Sequence, residues 1–337
     1  MHRLSRRVGG YLILIVLLFL VPVGTRDPYY LYTAYRIFLL IIMAVGLRVT
    51  MTTGQVSFAH AAFMAIGAYS SALLVMRVGL SFWLALPLAG IIAMVVAILI
   101  GFPILRLTGV YFFLVTFAFG TVVMLIITNY WRDVFGGTQG LLNIPVPDPL
   151  AIPGLPPLEF TTMTPFYYLG LMVMIIMILF AVRLDRSRFG RVFRAIRQQD
   201  ALAQSVGVNL FSYKMLGWAI ACFFAGIAGS LFSHMHKVIT PGDFTIQLAV
   251  YCVVYVIVGG EHKVSGPILG TALLCLVAEY LRGFGPIEPL AYGVALVLVI
   301  VFMPQGILGI LPRINAWLGN LWPGPSQGVS NNDTTGA

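Results

Sequence analysis

Long apolar runs, each broken by a charge or by Gly and Pro, dominate the chain. One membrane crossing takes about 20 apolar residues in a helix. On that rule the runs predict about ten spanning helices, at roughly 9–24, 29–48, 55–76, 82–105, 109–130, 165–183, 213–234, 245–259, 264–281 and 289–311. Two of them are irregular. The third opens on Gly54-Gln55 and carries Ser57, His60, Ser70 and Ser71, and the eighth is short for a crossing. Irregular backbone at membrane depth is tolerated only where protein or water satisfies its polar groups. The expected fold is all-α, a polytopic transmembrane bundle, with residues 1–322 in one domain. A tail over 323–337, rich in Pro, Gly, Ser and Asn, is expected to be disordered.

Composition agrees with this pattern. Of 337 residues, 60% are hydrophobic and 9% charged, against about 25% charged in an ordinary soluble domain. The net charge of +9 does not point to nucleic acid, because no basic patch interleaves with exposed aromatics. The basic residues instead fall between the apolar runs. With the N-terminus inside and ten crossings, the cytoplasmic side receives 14 of them, including Arg3, Arg48, Arg106, Arg183 to Arg197, Lys214 and Lys263. The outside receives 5, namely Arg26, Arg77, Arg132, Lys237 and Arg282. That asymmetry is the positive-inside pattern. At the start, His2, Arg3, Arg6 and Arg7 precede the run Tyr11–Val23, the outline of a secretory signal. Val21-Pro22-Val23-Gly24-Thr25-Arg26 offers no small-x-small cleavage site, so an uncleaved first helix is expected.

Motifs of self-contained chemistry are missing. Lys214, Lys237 and Lys263 lack the glycine-rich run of a phosphate-binding loop. HExxH, GxSxG and Cys/His metal spacings are absent, and Cys222, Cys252 and Cys275 lie singly in apolar runs. His234 and His236 stand two apart, which does not put them on one helical face. A membrane enzyme is therefore not expected, nor a metal site. Within the spans the ionisable residues of interest are Arg36, His60 and Glu279. Such residues are functional candidates by default, although Arg36 and Glu279 lie near span ends, where long side chains reach the interface. An ion-driven secondary transporter or channel would call for more core carboxylates. The pairs Gly226/Gly229 and Gly266/Gly270 allow neighbouring helices to approach closely.

Two loops differ in kind. The outer loop, 131–164, holds Pro145, Pro147, Pro149, Pro153, Pro156 and Pro157 with Gly136-Gly137, and reads as a rigid connector on the periplasmic side. The inner loop, 184–212, is the sizeable polar stretch of the cytoplasmic side. Arg191, Arg194 and Arg197 recur every third residue there. Gln198–Ser205 then forms a short helix that stops at Gly207.

This inner loop resembles the coupling segment of bacterial ABC-importer permeases, a Glu-Ala-Ala…Gly pattern, with Asp200, Leu202, Ala203 and Gly207 at the matching places. Further blocks are similar to branched-chain amino-acid ABC permeases of the LivM-like kind. In order they are Gly54–Phe63 with Gly67-Ala68-Tyr69, Gly109–Phe112 with Thr116–Gly120, Gly136–Leu141, Phe189–Gly207, Gly259-Gly260 with Gly266–Gly270, and Met303–Gly306. Together they cover about 35–310.

The resemblance implies a permease subunit in a bacterial inner membrane, N-terminus cytoplasmic, working by alternating access. It implies a second homologous permease subunit, two cytoplasmic ATPase subunits that bind ATP and Mg, and a periplasmic or surface-anchored binding protein, with no cofactor on this chain. It assigns ATPase coupling to Arg194, Arg197, Asp200, Ala203 and Gly207, the translocation path to Ser57, His60, Tyr111 and Thr116, and binding-protein docking to Gly136, Gly137, Thr138 and Gln139. Urea, short amides or aromatic acids are alternative substrates within the same family.

Overall fold

A computed structural model describes residues 16–25, 27–149 and 159–282, with Gly293, Val294, Val297 and Gly306. Residues 9–15 of the expected first span, most of the tenth span and the whole tail from 323 lie outside them, as do parts of the outer loop; residues 16–24 of the first span are helical.

Among the described residues the chain is helical, and the only strand-like pairing is one antiparallel bridge, Leu141 to Ile239. The helices are α1 (Pro28–Met51), α2 (His60–Val78), α3 (Phe82–Ile104), α4 (Val110–Asn129), α5 (Arg132–Phe135), α6 (Met163–Arg186), α7 (Arg188–Gln198), α8 (Asp200–Ser205), α9 (Leu210–His236), α10 (Ile246–Gly259) and α11 (Ser265–Leu281). Seven segments, α1, α2, α3, α4, α6, α9 and Pro241–Gly259, which includes α10, are long and apolar enough to cross a membrane. The protein is a multi-pass membrane protein. The described residues thus bear out the membrane bundle but not the full number of ten. The helix α11, over the expected ninth span, is shorter than the other candidates.

Ends are set by local chemistry. Asp27 accepts a hydrogen bond from Tyr29 N at 3.0 Å ahead of Pro28, and starts α1. Asn209 does the same for α9 through Ser212 N at 3.1 Å. The third expected span begins five residues late, at His60, because Gly54 takes a φ of +83° and residues 55–59 leave the helix.

Packing places α1 and α9 at the centre. About three-quarters of each apolar window is enclosed, 78% and 72%, against 33% for α3 and 28% for α4. The helix α9 packs on α1, α2 and α3, while α1 also carries α6, α10 and α11. Small residues make the α2–α9 crossing close. A side-chain carbon on Gly67 would fall on the Gly226 backbone, and one on Gly229 would fall on the Met64 carbonyl. The pair Gly266/Gly270 likewise lets α11 meet the Tyr255–Gly260 backbone. Both close approaches expected from the glycine spacing are present. Trp218, fully enclosed, donates from Nε1 to the Ala97 carbonyl at 3.0 Å and meets Phe63 and Phe112 edge-on.

Candidate functional site

Successive helices alternate in direction, so charged residues gather at two ends. At the arginine-rich end Arg48 closes α1. It is only 2% exposed. Its guanidinium donates to Asp185 Oδ1 at 3.2 Å and to the carbonyls of Glu261 and His262 at 2.8 and 3.1 Å. Asp185, in the last turn of α6, also accepts from Arg194 at 3.0 Å. One carboxylate and one buried cation therefore join α1, α6, α7 and the α10–α11 turn.

The inner loop folds back on this junction as two helices rather than one, broken at the extended residue Gln199. In α7, Gly190, Phe193 and Ile196 face inward while Arg191 and Arg194 face out. Gly190 sits where a side chain would meet the Asp185 carbonyl. Arg197 forms an ion pair with Glu261. Asp200 accepts from Lys214 Nζ of α9 at 2.6 Å. Ala203 turns inward at 4% exposure, while Leu202 and Val206 stand out at 61% and 79%. Gly207 takes a φ of +85°, which ends α8 and which a residue with a side chain adopts only with strain. Thus Arg194, Arg197, Asp200, Ala203 and Gly207 are brought to one surface. Their partners Asp185 and Glu261 carry no motif in the sequence, and Arg48 and Lys214 stand there only as basic residues of the cytoplasmic side. The available signal was the presence of acids next to so many arginines in a chain with only 11 acidic residues.

Between α1 and α2 the chain runs irregularly through the bundle. Thr52 and Thr53 return their hydroxyls to the Val49 and Thr50 carbonyls at 2.6 and 2.7 Å. Ser57 Oγ accepts from Ala59 N at 3.2 Å. Thr116 Oγ1 accepts from Phe58 N at 3.3 Å while donating to the Phe113 carbonyl at 2.9 Å. Ser57, His60 and Thr116 are therefore enclosed around one break. His60 lies near the Ala221 carbonyl without closing a hydrogen bond, and the Gln55 amide also has no partner among the described residues. Tyr111 stands apart, 71% exposed on the outer face of α4.

At the opposite end the loop after α4 is built on glycines. Gly136, Gly137 and Gly140 have φ of +77°, +59° and +72°. Gly137 is enclosed, whereas Thr138 and Gln139 are exposed. The loop then bonds to the end of α9. Leu141 and Ile239 exchange backbone hydrogen bonds at 3.0 Å, and Ile144 N donates to the Lys237 carbonyl at 2.9 Å. His234 Nδ1 donates to the Pro145 carbonyl at 2.7 Å, which leaves Nε2 to accept from Ser71 Oγ at 3.0 Å; Ser71 in turn accepts from Ser230 at 2.7 Å. His234 is thereby occupied in holding the loop.

A multi-crossing bundle with a polar helix pair strapped to one end and a glycine-cornered loop bonded to the other is the architecture of a transport permease. The family model for the permease component of the branched-chain amino acid transport system matches residues 29–303, and the chain belongs to that family. It is 32% identical over 292 residues to the high-affinity branched-chain amino acid transport system permease protein LivM of Salmonella typhimurium, covering 80% of this chain and 67% of that one. The Escherichia coli protein of the same name is 32% identical over 314 residues, 86% and 71% of the two chains. The probable branched-chain amino acid transport permease protein LivH of Methanocaldococcus jannaschii is 24% identical over 290 residues, 81% and 89%. No solved structure matches the chain.

Proposed function

We propose that this chain is the membrane-spanning subunit of an ATP-driven importer for branched-chain or related amino acids. In this proposal it pairs with a second permease subunit in the bacterial inner membrane, N-terminus cytoplasmic. Two ATPase subunits carrying ATP and Mg press on the arginine-rich end, and a binding protein delivers solute to the other. The uneven distribution of basic residues supports that orientation.

The observation that carries the coupling role is α8 and its setting. Two apolar side chains, Leu202 and Val206, project from a charged surface. Meanwhile Asp200 ties the same helix to α9, and Arg197 ties α7 to the α10–α11 turn. Force applied to α8 therefore reaches several spanning helices through direct contacts, as coupling between ATP and the path requires. Arg194, exposed beside Asp185, adds a contact for the same partner. The buried Ser57 and Thr116, with His60 and Gln55, which lack a hydrogen-bond partner among the described residues, supply polar groups for a translocation path. Exposed Thr138 and Gln139 supply a docking edge at the far end.

The test is uptake by the complex reconstituted in proteoliposomes, with a panel of amino acids, urea and amides, with and without ATP. Leu202→Asp with Val206→Asp is expected to lower ATPase co-purification by about tenfold or more, the factor that corresponds to ~1.4 kcal/mol of lost contact. ATP-independent uptake driven by an ion gradient through the isolated chain would refute the proposal.

A further inference from the structure

On the arginine-poor side of the bundle a cavity of about 510 Å³ opens between α1, α9, α10 and α11, a volume within the roughly 300–1,000 Å³ of ligand clefts. Its polar lining includes Tyr32, Thr33, Arg36, His236, Asp243 and Glu279, with Tyr251 and Tyr255 on the α10 wall. Ile37, Leu40, Met64 and Leu248 supply an aliphatic floor. The stripe Tyr29, Tyr32, Thr33, Arg36, Ile37 and Leu40 recurs at three- and four-residue steps, so a single face of α1 is turned to this space.

The charges are arranged unequally. Arg36 makes no hydrogen bond or ion pair among the described residues. It stands about 12 Å along α1 from Pro28, at 1.5 Å per residue. A lone guanidinium facing lipid costs several kcal/mol, so a polar partner, whether water, a ligand or protein, faces it. The carboxylates are partly engaged. Glu279 Oε1 accepts from the Tyr29 hydroxyl and from Arg282 at 3.2 Å, bridging α1 to α11 at the rim. Asp243 uses Oδ2 to hold Thr240, from N at 2.7 Å and Oγ1 at 3.0 Å, and its Oδ1 makes no hydrogen bond among the described residues. His236 donates from Nδ1 to the Phe232 carbonyl at 3.1 Å, so Nε2 accepts from the Tyr32 hydroxyl at 3.2 Å. That leaves the Tyr32 oxygen able to accept from a ligand.

We infer that this cavity binds the zwitterionic head of an aliphatic α-amino acid, its carboxylate on Arg36 and its ammonium toward Asp243, Glu279 and the Tyr32 oxygen. A simple anion would meet two carboxylates there, and a simple cation would meet Arg36. A molecule with both charges on one carbon satisfies both, and its apolar side chain lies on the Ile37–Leu248 floor. Neutral urea or an amide leaves Arg36 without a counter-ion. The assignment rests on the import function proposed above and places a solute site on the side opposite the ATPases.

Two measurements on the complete complex in lipid test it. Arg36→Gln is expected to lower the initial rate of leucine uptake by about 10- to 100-fold, the loss for one charge-assisted contact. Arg36→Lys retains a substantial part of that rate. Co-purification of the ATPase subunits and a single size-exclusion peak, neither of which depends on solute binding, report correct assembly of both variants. In the second measurement, Thr33→Cys on a Cys275→Ser background is labelled with a water-soluble thiol reagent. Millimolar leucine slows labelling, whereas 4-methylpentanoate, lacking the ammonium, and isopentylamine, lacking the carboxylate, do not. Leucine uptake by Arg36→Gln within about twofold of wild type overturns the site and leaves the import function standing. So does equal protection by the two single-charge analogues. If wild-type complex takes up no amino acid with ATP, the import function fails first and the site falls with it.

Discussion

Arg48 is held by one carboxylate and two carbonyls, and its enclosure makes each of them matter. Asp185→Asn removes the charge that faces Arg48 and Arg194 while keeping the size of the side chain. Arg48 keeps its carbonyl acceptors, so the expected loss is that of one buried polar partnership, about 1–3 kcal/mol. A lowered midpoint of thermal unfolding in detergent checks it, with Arg194→Gln as a milder companion because that side chain is 43% exposed. Composition had already marked these arginines as a membrane-edge cluster. Their partners were harder to read. Asp185 and Glu261 are 76 positions apart in the sequence, and only the fold brings both against Arg48. Arg36 was visible in the sequence as an intramembrane charge. What it faces depends on α9, α10 and α11 together.

Helix existence was legible from apolar length, and close crossings from glycine spacing, because both are local properties of the chain. Boundaries were less so. The expected span 55–76 lost its first turn to the break at Gly54–Ala59, where buried threonine and serine hydroxyls satisfy the backbone in place of a helical ladder. The inner loop divides at Gln199, a change of direction dictated by the anchoring of Phe193 and Ile196 on one side and Ala203 on the other. The α2–α9–α3 crossing gives the sharpest test at this scale. A side-chain carbon on Gly226 would meet Ala93 Cβ and the Ala89 carbonyl. Gly226→Ala is therefore expected to cost about 1–3 kcal/mol from overpacking, seen as a loss of the monodisperse peak in size-exclusion chromatography. Gly24→Ala, with nothing within 4 Å, is expected to behave as wild type.

For the whole molecule, the central question is whether Arg197 acts on a partner protein or on its own bundle. Its ion pair with Glu261 spans α7 and the α10–α11 turn. If that link transmits the stroke, Arg197→Glu and Glu261→Arg each lower ATP-driven uptake, and the exchanged pair restores most of it. We expect rescue to at least about half of the wild-type rate, since the partly exposed pair itself contributes only ~1 kcal/mol. Uptake assays in proteoliposomes read the outcome, and failure of the exchange would move Arg197 to an ATPase contact alone.

The helix α9 reaches both ends of the bundle. Its first turns hold Lys214 against Asp200, and Lys237 and Ile239, just past its end, carry the backbone bonds to the Leu141 loop. Its 27 residues make a rod about 40 Å long at 1.5 Å per residue, and a hydrogen-bonded rod tilts far more readily than it shortens. In the proposed importer, a binding protein landing above and an engine closing below would then lean on opposite arms of one seesaw, with the glycine crossing at Gly226 and Gly229 as its fulcrum.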